Sequence, residues 1–431
     1  MHDAIVIGAG LSGLVCARRL AAGGAKVLVV EARDRVGGRL FSGTVGGALV
    51  DLGGQWLTAG QTRLAALAAE LGVATFEHRR TGGRLVIDEA GGLTMKILGA
   101  FAQQRAMKSI EALMRSVPLG EPARAPQAAV LDRLTLGAWL DDKVRNTLAR
   151  ERIRLHADLV FAADPADLSL LSYLATMRAT DGFRPGGADL PGGGREHRFE
   201  GGAQQLAERI AAGLEVQLGE PVRGIAETAT GVSVRCATST FEARRVVLAI
   251  PPGLARAIDM PFAPAQRTFV DGVRAGAVIK CFAAYEQAFW RTRGYSGEAY
   301  LPRGSVRAVV EIAGEPPALL AFVVGPYAAR WRQRTAEERR GEILATLSAY
   351  FGDEARTPVG YLEHDWAADP WSAGCVAATP PGVLARGARW RESHGKIHLA
   401  GTETAVLWPG YMEGAIEAGE RAGSEVLAAL G

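Results

Sequence analysis

Two hydrophobic rhythms alternate along the chain, and their order carries more than either alone. Short unbroken apolar runs, Ala4-Ile5-Val6-Ile7 and Val27-Leu28-Val29-Val30, have the length and β-branching of strands buried on both faces. Between them, residues 14–20 return apolar side chains at helical spacing. Strand, helix and strand in that order predict a βαβ unit at the N-terminus. Strand patterns recur at 216–218, 232–236 and 246–250, preceded by a helix running from Gly201-Gly202-Ala203-Gln204-Gln205 to Leu214. Pro251-Pro252 stops the last strand, because proline cannot extend a sheet ladder. Elsewhere helical periodicity covers 98–113 and 136–174, and a Gly/Pro-rich loop covers 181–194. The segment from about 269 to 369 mixes apolar strands such as 318–324 with a charged helix near 336–350. The sequence has no internal repeat.

A length of 431 residues exceeds what one core usually carries, so two domains are expected. The formal net charge of +3 is small and arginine is scattered, which argues against a nucleic acid or an anionic membrane as partner. No run of about 20 apolar residues could span a bilayer. The chain starts directly on its first strand, so no secretory leader is expected and cytoplasmic placement is the default. Four cysteines show neither metal-ligand spacing nor a disulfide framework, and Cys16, Cys236 and Cys281 read as small core residues.

Chemistry enters at the turn after the first strand, Gly8-Ala9-Gly10-Leu11-Ser12-Gly13. Gly8 permits the tight turn, Gly10 lets the backbone approach a pyrophosphate, and Gly13 allows close helix–strand contact. The helix start at Leu11 and Ser12 offers free N–H groups to the anion. Glu31 ends the second strand about 20 residues on, where an acid accepts hydrogen bonds from adenosine ribose hydroxyls and disfavours a 2′-phosphate. The run from Glu31 to Arg39 then separates flavin from nicotinamide. Arg33, Gly38 and Arg39 supply further backbone donors and positive charge for a longer cofactor, which a nicotinamide enzyme does not need. Asp51-Leu52-Gly53-Gly54-Gln55-Trp56 repeats the device, with Gly54, Gln55 and Trp56 where a backbone passes close to a flat ring. The cofactor expected is FAD.

The C-terminal part supplies the other half of the site: Ile397-His398-Leu399-Ala400-Gly401-Thr402-Glu403-Thr404, then Trp408, Gly410-Tyr411-Met412-Glu413-Gly414-Ala415 and Glu417-Ala418-Gly419. With these residues the chain resembles the flavin-containing amine oxidases, of which monoamine oxidase is the familiar member. The resemblance covers nearly the whole chain. It implies an α/β fold with a Rossmann-like FAD-binding domain assembled from discontinuous segments, 1–75, 200–268 and 370–431. An α+β substrate domain from 76–199 and 269–369 completes the amine oxidase and p-hydroxybenzoate hydroxylase-like topology. The resemblance implies cofactor contacts at Val222, Trp366, Trp371, Gly401, Thr402, Glu403, Tyr411, Met412 and Ala415. Lys280 matches the family's lysine that holds a water beside flavin N5 and assists reoxidation by oxygen. Cys375 stands where monoamine oxidases join a cysteine to the flavin 8α-methyl group; a thioether and an inert buried thiol both remain open.

On the substrate side, Tyr411 matches one wall of the family's aromatic sandwich, while Val376 occupies the place of the second tyrosine and leaves a wider cage. Gln205 and Tyr173 are expected to border the same cavity. The implied reaction is hydride transfer from the α-carbon of a mostly apolar primary or secondary amine to flavin N5, with oxygen or an electron-carrier protein as acceptor. A flavin desaturase of a non-amine and a flavin-binding protein without turnover are the alternatives, and a homodimer is left open.

Overall fold

The computed structural model describes residues 1–78, 81–86, 93–180, 197–387 and 389–431; the loop expected at 181–194 lies outside the described residues. Two sheets organise the chain. The first runs Glu215–Gln217, Val27–Val30, His2–Ile7, Thr240–Leu248, Val232–Cys236, Val222–Glu227, and Ile397–Leu399 also pairs with Thr240–Leu248. Its centre is parallel, Ile5 pairing with Leu28 on one side and Val246 on the other, and Val246 in turn with Ile397. The helix Leu11–Ala22 returns the chain between the first two parallel strands, as the apolar runs predict. Both faces of this sheet are covered, which is why the strands are apolar without alternation.

The second sheet runs Gly360–Asp365, Val278–Ala284, Ala318–Val324, Val306–Ile312, Tyr295–Tyr300, Gly83–Val86 and is antiparallel except at its last pair. Every residue of Val278–Ala284 is buried, Lys280 included. Two local expectations are corrected. The strand expected at 246–250 begins at Thr240 and ends at Leu248, and the helix expected to reach Leu214 ends at Ala211. The helical stretch at 136–174 is three helices, Leu136–Lys143, Thr147–Phe161 and Leu170–Thr180. Asn146 Oδ1 caps the second by accepting from Ala149 N, and Ala162 in the left-handed region ends it. All three helices feed one core cluster, so the apolar period runs through the breaks.

The two ends of the chain meet. The helix Met412–Leu430 packs along Leu11–Ala22, with Ile416, Ala422 and Val426 buried in the same core as Leu11, Leu14 and Val15. Its acidic residues serve loops and helix ends. Glu413 accepts from the backbone N–H groups of Arg63 and Leu64 at the start of Thr62–Glu70, at 3.1 and 2.8 Å. Glu417 accepts from Val406 N at 2.7 Å. Among the described residues, no helix is long and apolar enough to cross a membrane, and no cluster of His, Cys, Asp and Glu could hold a metal.

Candidate active site

A cavity of about 420 Å³ runs from the first turn to the start of the last helix. At one end lie Gly8, Gly10, Leu11 and Ser12. The helix that begins at Leu11 has no side-chain cap at Gly10, so its first N–H groups are left for a ligand on the cavity side. Glu31, 4% exposed, accepts from Ala9 N at 2.7 Å and from Arg33 N at 2.9 Å. Arg33 is itself held by Asp369 and Ser372, at 2.8 and 2.7 Å. Arg39 pairs with Glu403 at 2.7 Å and donates to Cys375 O at 2.5 Å. Glu220, Val222 and Arg223 close this end.

The C-terminal signature reaches the same cavity through Gly401, Thr402, Gly410, Tyr411, Met412 and Ala415. Ser12 Oγ accepts from Gly401 N at 2.9 Å, tying the two chain ends across the site. Thr402 Oγ1 donates to Tyr411 O and accepts from Gly410 N, both at 2.8 Å, which fixes the backbone of the tyrosine. Trp408 stands edge-on to the Tyr411 ring, centroids 5.3 Å apart. Trp371, Trp366, Cys375 and Val376 form the adjoining wall, and Trp366 Nε1 donates to Leu52 O at 2.8 Å. Burial lifts the Cys375 thiol above its ordinary value, although Arg39 and Lys280 pull it down.

Gly54, Gln55, Trp56 and Lys280 also line the cavity. Lys280, 5% exposed, donates from Nζ to Asp51 O, Gly53 O and Gln55 Oε1, at 2.9, 2.7 and 3.1 Å. Its ammonium lies 5.7 to 5.9 Å from the ring centroids of Phe322, Trp56 and Phe282. A lysine on an apolar strand is tolerated because all three ammonium protons meet oxygen acceptors.

Four expected residues fall outside the cavity lining. Gly13 packs under the turn, and Glu403 turns its carboxylate to Arg39. Gln205, expected to border the cavity, instead donates to the carbonyls of Glu200 and Gly202 and accepts from Arg209. Tyr173, likewise expected there, is fully buried among helices, its ring 5.9 Å from Phe161 and its hydroxyl 3.4 Å from His156 Nδ1. Leu159 and Val160 of the preceding helix take its place. Val278, Phe322 and Val324 also line the site and were missed. Their signal was available, since Val278 pairs with Val324 and Lys280 with Phe322, and alternate strand residues share a face.

The residues present fit FAD: an uncapped helix start, a buried acid, two arginines, a Gly-Gly loop, and two buried polar atoms on or beside the cavity, Gln55 Nε2 and Glu403 Oε2, with no partner among the described residues. The family profile of flavin containing amine oxidoreductases matches residues 11–427. AofH of Mycobacterium tuberculosis strain H37Rv, provisionally described as a flavin-containing monoamine oxidase, is 36% identical over 99% of this chain and 97% of its own. Cyclohexylamine oxidase from Brevibacterium oxydans IH-35A superposes with a TM-score of 0.93 at 30% identity, covering 100% of this chain and 99% of that one. Wild-type putrescine oxidase bound to putrescine gives a TM-score of 0.92 at 32% identity, with 99% of each chain covered. The chain belongs to the flavin-containing amine oxidoreductases, has their FAD-binding α/β fold, and is an FAD-dependent amine oxidase.

Proposed function

We propose that the substrate is a mostly apolar primary or secondary monoamine and that dioxygen is the acceptor. The make-up of the cavity wall carries this reading. Leu159, Val160, Val278, Phe322, Val324 and Val376 are apolar. The two carboxylates in the described lining, Glu31 and Glu220, sit together at the pyrophosphate end, Glu220 N donating to Glu31 O at 2.9 Å.

Bound flavin supplies the acceptor for the hydride on the amine α-carbon, after which the imine hydrolyses to an aldehyde or ketone and reoxidation by oxygen yields hydrogen peroxide. The chain supplies position and dryness. Tyr411, braced by Trp408 and Thr402, offers a fixed aromatic wall for the amine. The apolar faces exclude water and favour the neutral amine, so no side-chain base is needed for its proton. A second ammonium carried in by a diamine would be buried there without a counter-charge. Of the two solved neighbours, the one named for an alicyclic monoamine therefore matches this wall better than the one named for a diamine.

Peroxide release across a panel of amines tests the reading. Alicyclic and bulky secondary amines are expected to turn over, with putrescine about 100-fold lower in kcat/KM, the equivalent of about 2.7 kcal/mol. Val376→Tyr, which narrows the cage, is expected to lower kcat/KM for bulky amines about tenfold and to spare small arylalkyl amines. Diamines oxidised as well as monoamines, or bulky amines refused by the parent, would refute it.

For the cofactor we propose a thioether from Cys375 Sγ to the flavin 8α-methyl group, supported by the place of Cys375 on the cavity wall. The thiolate would be the nucleophile; the 8α carbon would give up a proton, and the electron pair would pass through the flavin to dioxygen, the acceptor already named. Burial holds this thiol above its ordinary pKa, so the reactive form is scarce near neutrality. Raising the pH increases it. Attachment to reconstituted protein should therefore speed up between about pH 7 and pH 9, and acid precipitation should leave the yellow colour in the pellet. Colour released entirely into the supernatant means no bond has formed.

A further inference from the structure

We propose that Trp408 is a positioning residue for the amine: it stands off the cavity and holds the ring of Tyr411 in the orientation that makes it a wall. The inference rests on the reading of Tyr411 as that wall. Three described residues other than glycine have left-handed backbone, Ala162, Ala373 and Trp408, and Trp408 is the bulky one, at φ +55°. It also precedes Pro409, and a proline favours extended backbone at the residue before it. A large side chain is rarely found in this conformation, which persists only where the surroundings over-determine it.

Here they do. Trp408 N donates to Ala179 O and Trp408 O accepts from Tyr411 N, both at 3.1 Å, the second bond closing the turn 408–411. The same carbonyl is pressed against the helix Met412–Leu430, where a methyl group on Gly414 would sit 2.2 Å from it. The indole is 9% exposed and lies against Gly60, where a methyl group would come within 2.9 Å of Cζ2. Packed in this way, it meets the Tyr411 ring with 5.3 Å between centroids and 84° between planes. Thr402 fixes the backbone of the tyrosine, but the orientation of its ring is a separate matter, and the edge-to-face contact selects one. Glycine or asparagine at 408 would relieve the backbone and carry no such ring. Tyr411 lines the cavity and Trp408 does not, so the indole acts on an amine through the tyrosine. A wall that shifts leaves the amine bound with its α-hydrogen misaligned, and the rate of hydride transfer falls rather than the affinity.

The test is a double-mutant cycle, read as anaerobic stopped-flow reduction of the FAD-loaded enzyme by cyclohexylamine. Trp408→Leu is expected to be reduced about tenfold more slowly at saturating amine, with the apparent amine Kd within about twofold of the parent. Trp408→Phe, which keeps an aromatic edge, should recover most of the rate. In a Tyr411→Leu background the same Trp408→Leu change should cost less than about twofold. Should Trp408→Leu fail to retain FAD, Gly60→Ala decides in its place, since it displaces the indole and leaves both rings present. Crystals of the flavin-free Trp408→Leu protein should show the Tyr411 ring turned from its parental orientation. The full cost in both backgrounds, or a Tyr411 ring that stays in place, would overturn the assignment alone. A Tyr411→Leu enzyme reduced at the parental rate would strike the reading of the wall, and this assignment with it.

Discussion

Gly13→Ala is expected to give protein that purifies without yellow colour and binds added FAD at least about 100-fold more weakly than the parent, a loss of about 2.7 kcal/mol. A methyl group on Gly13 would sit 2.0 Å from Gly8 O and 3.2 Å from Ala249 Cβ. The carbonyl cannot retreat. Gly8 holds φ +103°, a conformation that favours glycine, and its N–H is bonded to Val30 O at 2.8 Å. Ile5, Val6 and Ile7 before it are locked between two parallel neighbours. The first helix must move instead, and with it the N–H groups that its uncapped start leaves for a ligand. Overpacking a core site costs about 1–3 kcal/mol when flexible side chains can yield; here one of the clashing atoms is backbone, so the loss falls on the ligand site itself. Absorbance near 450 nm and a fluorescence titration with FAD measure it. A variant that emerges yellow at full stoichiometry would contradict the role assigned to this turn.

The pyrophosphate turn was legible because its logic is local. Strand, glycine turn, helix, strand and Glu31 occupy one stretch of chain, and the chemistry of each position follows from its neighbours. Lys280 was legible for a different reason, a charge in the middle of an apolar strand. The residues that escaped depend on partners far away in sequence. Glu413 belongs to the most recognisable motif of the chain, yet its work is to cap the helix at Thr62–Glu70, 350 residues earlier. Tyr173 fails on phase. Leu170–Thr180 carries apolar residues on nearly every face, so no stripe marks which side meets the cavity, and its tyrosine turns into the helical core. Gln205 fails because its amide is taken up locally, by the carbonyls of Glu200 and Gly202 and by Arg209, and no apolar pattern marks that turn in advance.

Lys280→Met should slow reoxidation of the reduced enzyme by about 10²–10³-fold, the range found when a preorganised group is removed from developing charge, while anaerobic reduction by amine changes far less. The asymmetry follows from where charge appears in each half of the reaction. Hydride transfer leaves positive charge on the departing imine, and a nearby ammonium gives it no help. Dioxygen gains negative charge as electrons reach it, inside a cavity whose apolar walls leave little solvent to spread that charge. Lys280 is placed for this task. It is 5% exposed, the oxygens that accept from it are neutral, and aromatic rings stand within 5.9 Å, so its charge is neither cancelled by those bonds nor strongly screened. The same substitution also strips Asp51 O, Gly53 O and Gln55 Oε1 of a shared donor, and a general loosening of that loop would slow both halves and release FAD. Stopped-flow reduction, stopped-flow reoxidation and flavin content, measured on one preparation, separate the two. Retained FAD and near-parental reduction beside slow reoxidation assign the charge to oxygen chemistry; equal reoxidation in variant and parent would remove Lys280 from the mechanism.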